Sequence, residues 1–157
     1  KAVILGCVDS RVPPEIVFDQ GIGDVFVGRV AGNFENPDQL GSLEFATAVA
    51  GSPLIVVLGH TSCGAIKGAV DGVELGNLTA MLETFGGSIE AAREYIKGEL
   101  SSSNEEFITA VVEENIRQTV KDIQTRSEVI SGLIESGDLA VVGAMYDLST
   151  GEVSWLD

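Results

Sequence analysis

One histidine and two cysteines occur in the 157 residues, and they fall in two short stretches. Gly59-His60-Thr61-Ser62-Cys63-Gly64 follows the apolar run Leu54 to Leu58, and Gly6-Cys7-Val8-Asp9-Ser10-Arg11 follows the apolar run Ala2 to Leu5. Thiolates and imidazoles bind zinc, and a catalytic zinc keeps three protein ligands with one position open. Cys7, His60 and Cys63 supply that number. His60-x-x-Cys63 suits a tight turn into a helix start, where the helix dipole favours a thiolate. Taken alone, the pair equally describes a satisfied core histidine beside a buried thiol. The two cysteines could also be inert core thiols or a disulfide, although neither stands in a loop-rich scaffold. The combination with Cys7-x-Asp9-x-Arg11 favours the metal.

An exposed Asp and Arg two residues apart are by default an ion pair of little consequence. Beside a dication their meaning changes. A carboxylate two residues from a ligand can reach the fourth coordination position unless a guanidinium holds it in a two-pronged hydrogen bond. Arg11 would keep that position open to water, and Asp9 would accept a hydrogen bond from the water.

Both stretches need strand ends to position them. Ala2 to Leu5 reads as a strand buried on both faces, and Asp24 to Val30 and Leu54 to Leu58 as the second and third. Leu139 to Ala144 makes a fourth, and after a turn at Ser149-Thr150-Gly151 the segment Val153 to Leu156 can add an antiparallel edge strand. Pro13 and Pro14 permit a helix carrying Ile16, Val17 and Phe18. Further helices are expected over Gly41 to Val49, from Cys63 to Val70, after an Asn77 cap, around Ile89 to Leu100, and over Val129 to Ile134. A capping box Ser103-x-x-Glu106 precedes a long helix with Ile108, Val112, Ile116 and Val120 at every fourth residue.

Alternating strands and helices imply an α/β fold with a mostly parallel four-stranded sheet in the order 2-1-3-4 and flanking helices. Ligands in such sheets gather beyond the carboxyl ends of the strands where the order reverses. Here that point lies between strands one and three, the two that carry Cys7 and His60. Length predicts a single domain over residues 1–157. The formal charge of −15 opposes phosphate backbones and anionic lipid, so neither nucleic acid nor membrane is an expected partner. Gly21-x-Gly23 lacks the third glycine of a dinucleotide fingerprint.

The stretches CVDSRV, FVGRVAGN, SLEFA and VVLGHTSCGAIKG closely resemble the β-class carbonic anhydrases. The resemblance is strongest from Ala2 to Val70 and looser around Tyr146. It implies a zinc enzyme for the reversible hydration of carbon dioxide to bicarbonate and a proton, with zinc-bound hydroxide as nucleophile. Cys7, His60 and Cys63 become the ligands, Asp9 and Arg11 the catalytic dyad, and Gly64 a backbone donor to substrate. Phe26, Ala31 and Phe45 fall on pocket positions, with Phe45 where some relatives place a tyrosine. Ile4, Arg29 and Tyr146 align with a Trp, Arg and Tyr that bind inhibitory bicarbonate in one subgroup, and the missing tryptophan predicts that this site does not form.

Family members are homodimers or higher even oligomers with pockets at the subunit interface. Their helical arm lies upstream of the first motif and is expected to be absent from residues 1–157. A cytoplasmic enzyme is expected, with a periplasmic or exported one as the alternative if a signal segment lies upstream of Lys1. Some members of the fold hydrolyse carbon disulfide or carbonyl sulfide, which the ligand set does not distinguish. A zinc-stabilised interaction module is the non-enzyme rival, and such a site would need neither Asp9 nor Arg11.

Overall fold

A computed structural model describes residues 2–157. Five strands form one sheet in the order β2-β1-β3-β4-β5, where β1 is Ala2–Gly6, β2 Val25–Arg29, β3 Leu54–His60, β4 Ala140–Tyr146 and β5 Val153–Leu156. The first four run parallel and β5 is antiparallel to β4. The expected order is therefore found, and the edge strand is present. The topological reversal lies between β1 and β3, which are hydrogen-bonded neighbours from Val3↔Ile55 to Gly6↔Leu58.

The apolar runs are continuous because both faces of the central strands are covered. Val3, Leu5, Ile55 and Val57 point into the larger core, while Ile4, Val56, Leu58 and Ala144 pack on the opposite face with Val12. The strand β3 extends two residues beyond the expected Leu58, so His60 belongs to the ladder and pairs with Tyr146.

Among the described residues seven α-helices accompany the sheet: α1 Pro14–Val17, α2 Pro37–Glu44, α3 Gly64–Val70, α4 Gly76–Leu82, α5 Gly86–Arg93, α6 Glu105–Arg126 and α7 Glu128–Glu135. Several boundaries differ from the sequence reading for identifiable reasons. The helix expected from Gly41 starts at Pro37, because Asn36 accepts the Gln39 N–H at 2.9 Å and proline occupies the first turn, where no N–H is needed. It continues as a wider π-helical turn over Phe45–Val49.

Asn77 lies inside α4 and caps nothing; the helix opens after Leu75, whose N–H donates to Thr79 Oγ1 at 2.8 Å. The helix expected over 89–100 is the shorter α5, which begins at Gly86 and stops at Arg93. The long helix is capped by Asn104, which accepts the Phe107 N–H at 3.3 Å, while the Ser103 hydroxyl is engaged with Ser101. The expected capping box therefore does not form. Ser127 caps α7 by accepting the Ile130 N–H.

The long helix α6 is the main cover of the larger core. Phe107, Ile108, Val111, Ile116 and Ile123 are fully buried on it, and it packs on β3, β4, α3, α5 and α7. Each such side chain contributes about 1.5–3 kcal/mol of transfer free energy. Its approach to β3 depends on Gly59, where a Cβ would lie 2.5 Å from Ile116 Cδ1 and 2.9 Å from Val112 Cγ1. The residue ahead of His60 is thus a glycine because the helix occupies the space a side chain would need. No helix among the described residues is long and apolar enough to cross a membrane.

Candidate metal centre

His60 terminates β3 with no exposed surface. Its Nδ1 lies 2.9 Å from the Thr61 carbonyl oxygen, which can only accept, so Nδ1 carries the proton and Nε2 presents its lone pair. That Nε2 is buried without a hydrogen-bond partner. The following turn is held from two sides. The Thr61 N–H donates to the Tyr146 carbonyl at 3.0 Å, and Thr61 Oγ1 accepts the Leu148 N–H at 3.0 Å. Ser62 takes a left-handed backbone conformation (φ 53°), and its hydroxyl donates to Glu105 at the start of α6, which also pairs with Lys67. Cys63 then sits at the N-cap of α3 with 1% of its surface exposed.

Cys7 follows β1 and is also buried. Its sulfur accepts the Gly32 N–H at 3.3 Å. The Sγ atoms of Cys7 and Cys63 and a ring nitrogen of His60 all lie within 4.8 Å of one another. The structure therefore brings together the three residues singled out as ligands, and they could hold a metal ion. The two buried thiols bias each other's ionisation in opposite directions. The hydrogen bond from Cys63 holds the Cys7 thiol down to about 4, against the opposing effect of burial, and the His60 and Gly32 contacts act in the same direction. Cys63 is pushed up by that same hydrogen bond and by burial. Burial pulls the His60 imidazole down, but the neighbouring Cys7 sulfur, the Thr61 carbonyl and the nearby Asp9 carboxylate outweigh it and raise the pKa.

Asp9 and Arg11 lie at the mouth of the same crevice. Arg11 Nε reaches Asp9 Oδ1 at 3.0 Å and Nη2 reaches Oδ2 at 2.7 Å, with the Arg11 backbone N–H on Oδ1 at 2.9 Å. This is the two-pronged grip expected from the sequence. It holds the Asp9 carboxyl down to about 2, chiefly through the Arg11 side-chain hydrogen bonds. Asp9 Oδ2 is 3.8 Å from His60 Nε2, and Arg11 Nη2 also approaches the Ser62 carbonyl at 3.4 Å. The carboxylate therefore lies beside the cluster, next to the ring nitrogen of His60 that lacks a partner.

The pocket residues are less concentrated. Phe26 and Phe45 meet edge to face with centroids 6.3 Å apart, and both line a groove of about 760 Å³ beside the open edge strand β2. Arg29 and Gln39 line it too, but Cys7, His60, Cys63, Ala31 and Gly64 do not. Ala31 is half-buried in the loop after β2, and Gly64 is exposed at the first turn of α3.

A domain model described as carbonic anhydrase matches residues 2–153. Carbonic anhydrase 2 of Mycobacterium tuberculosis is 41% identical over 153 residues, which span 96% of this chain and 71% of that protein. The carbonic anhydrase of Mycolicibacterium smegmatis is 38% identical over 97% of this chain and 72% of its own length. Among solved structures, a β-carbonic anhydrase of Sordaria macrospora, described as tetrameric, superposes with a TM-score of 0.88 at 26% identity, over 99% of this chain and 79% of that one. This chain belongs to the β-carbonic anhydrase family.

Within this β-carbonic anhydrase, three contributors near the centre were not read as site residues from the sequence. Arg29, read there only as an effector position, spends its guanidinium on the chain's own loop, donating to the carbonyls of Cys7 at 2.6 Å, Asp9 at 2.5 Å and Val12 at 3.3 Å. It thereby locks the turn that carries Cys7, Asp9 and Arg11. Gly32 supplies the N–H to Cys7, and its backbone (φ 83°) occupies the left-handed region that favours glycine. Glu105 ties Ser62 and Lys67 to α6. Of these, Arg29 and Gly32 carried a sequence signal, as members of the FVGRVAGN stretch, and Glu105 carried none.

Proposed function

We infer that residues 1–157 act as one catalytic domain that catalyses the reversible hydration of carbon dioxide to bicarbonate and a proton, with zinc as cofactor. The observation that carries this reading is the clamped carboxylate. Asp9 lies beside the three-residue cluster yet is gripped on both oxygens by Arg11. A purely structural zinc closes its coordination and has no need of such a device.

The residues fit the ion. Two thiols and an imidazole within 4.8 Å suit tetrahedral coordination at about 2.3 Å to sulfur and about 2.0–2.1 Å to nitrogen, and the orphaned Nε2 of His60 lacks any other partner. When bound, zinc supplies the Lewis acidity that makes water a nucleophile near neutral pH. Cys7 and Cys63 would hold it as thiolates and His60 through Nε2.

Arg11 would hold Asp9 back from a bound ion and orient Oδ2 as an acceptor for water. Phe26, Ala31 and Phe45 would give carbon dioxide an apolar wall, and the Gly64 N–H would steady the product oxygen. The proton must leave without a second histidine, since His60 is the only one and is committed to the cluster. Acidic side chains near the mouth or external buffer would receive it.

The open edge of β2 and the exposed Phe45 beside it suit an even homo-oligomer whose partner completes the pocket. The formal charge of −15 opposes phosphate backbones and anionic lipid. Stopped-flow hydration measured alongside the zinc-to-protein ratio tests the reading. About one zinc per chain with hydration lost on chelation supports it; a metal-free protein, or hydration indifferent to chelation, refutes it.

A further inference from the structure

Asn115 is a buried polar residue in the middle of the apolar face of α6. It is 3% exposed and lies among Val111, Val112 and Ile116, each at most 1% exposed. Burying an amide costs free energy unless it is hydrogen-bonded, so a residue of this kind needs a specific partner. The partner is the loop beside Cys7: Asn115 Nδ2 donates to the Gly32 carbonyl at 2.8 Å, across 83 residues of sequence.

The Gly32 backbone is confined from three directions. Its carbonyl is held by Asn115, its N–H points to Cys7 Sγ at 3.3 Å, and the place of a Cβ is filled by the ring of Phe85, 2.3 Å away at Cζ. Phe85 has no exposed surface and is braced edge to face by Phe34 with centroids 5.7 Å apart. The ring blocks movement one way, and the amide of Asn115 prevents the carbonyl from swinging away. With the carbonyl and the Cα so confined, the N–H is left pointing at the sulfur.

We propose that Asn115 is a positioning residue for the metal centre, holding the Gly32 backbone so that its N–H donates to the Cys7 thiolate. This rests on the zinc reading above and goes beyond it, because Asn115 touches neither metal nor substrate. A thiolate that accepts an N–H holds less electron density on sulfur, is stabilised against protonation and has its lone pairs oriented. Losing such an outer contact typically weakens metal binding about 10–100-fold.

The test uses cobalt(II) in place of zinc, because thiolate-to-cobalt charge transfer reports the electron density on sulfur directly. In Asn115→Leu, which removes the amide at similar volume, the charge-transfer band moves to lower energy, and zinc is lost to a chelator about 10–100-fold faster than from the parent. Asn115→Ala should show the same two changes, so the measurement does not depend on one variant folding. Thr119→Val, which alters another buried polar residue on the same helix, should leave both unchanged.

A parent band with both Asn115 variants superimposed on it overturns the proposal while leaving the zinc reading intact. An equal shift in Thr119→Val overturns it as well, since loosening of α6 would then be the cause. A parent with no thiolate-to-cobalt band overturns the zinc reading, and this proposal with it.

Discussion

The loops that follow β3 and β1 meet at one point but are held there by different forces. The β3 end is fixed by packing: Gly59 lies under Ile116 and Val112, His60 has no exposed surface, and Cys63 opens a helix with 1% of its own surface exposed. The β1 end is fixed by polar contacts. Val8 is 55% exposed, and the turn is secured by Arg29 on three carbonyls, by Gly32 on sulfur and by Arg11 on Asp9. Packed interiors resist displacement, whereas a hydrogen-bonded side chain can exchange partners at modest cost. One half of the crevice is thus a floor that sets ligand geometry. The other half includes a carboxylate that can be reset.

The largest effect should come from removing a ligand from the floor. Cys63→Ser replaces a thiolate with a hydroxyl that stays protonated and is too short to reach the same point, so the zinc-to-protein ratio should fall from about one to near zero. Full metal content in that variant would remove Cys63 from the centre and dissolve the contrast between the two loops.

Next in size is the release of the carboxylate on the other side. Arg11→Ala frees Asp9 from its two-pronged hold, and Asp9 Oδ2 already lies 3.8 Å from His60 Nε2. The variant should retain its zinc while hydration, followed by stopped flow, falls about 100-fold or more. Parent-like activity would mean that the grip has no role in the reaction.

A smaller effect tests whether the floor depends on packing. Gly59→Ala puts a methyl 2.5 Å from Ile116 Cδ1, and overpacking of this kind costs about 1–3 kcal/mol. Thermal unfolding should show the loss, and adding Ile116→Val, which removes that Cδ1, should recover part of it. An unchanged melting temperature would show that α6 shifts freely and that the floor is softer than its burial implies.

These features differed in how plainly the sequence announced them. Sheet order and the meeting of Cys7 with His60 were legible, because β1 and β3 are continuous apolar runs that end at the reactive residues and parallel crossovers leave few topologies. The Asp9–Arg11 grip was legible from spacing and the chemistry of a fork-shaped donor. Helix starts were read less well where adjacent polar residues compete. Asn104 rather than Ser103 caps α6, and a Thr79 hydroxyl replaces the expected Asn77 cap.

Arg29, Gly32, Asn115 and Glu105 act through contacts between residues distant in sequence, so no local pattern specifies what they hold. Asn115 did leave a trace, as a polar residue among Val111, Val112 and Ile116 on the buried face of a helix. The groove lined by Phe26 and Phe45 is reached through Arg29 rather than lined by Cys7, His60 or Cys63, and no sequence pattern specifies that arrangement.

The smallest predicted effect contrasts two carboxylates that both pair with arginine. Arg11 holds Asp9 down to about 2, below its ordinary 3.8, so its stabilising contribution is present above the ordinary value and lost as pH falls toward 2. Glu35, in the loop after β2, is 6% exposed and pairs with Arg126 at the end of α6. Burial raises its pKa above the ordinary 4.5, Asp122 adds to the rise, and Arg126 with the residue's own backbone N–H only partly offsets it. The sign is therefore reversed: the folded protein holds this proton more tightly than the unfolded chain. Its contribution is full below 4.5 and lost as pH rises through the folded value. Glu35→Gln keeps the shape and removes the titration, so the melting temperature of the variant minus that of the parent should increase as pH rises above about 4.5 and level off once the folded carboxyl has ionised. A difference that instead decreases over that range would mean that the ion pair with Arg126 outweighs burial, and that this loop is held by charge in the same way as Asp9.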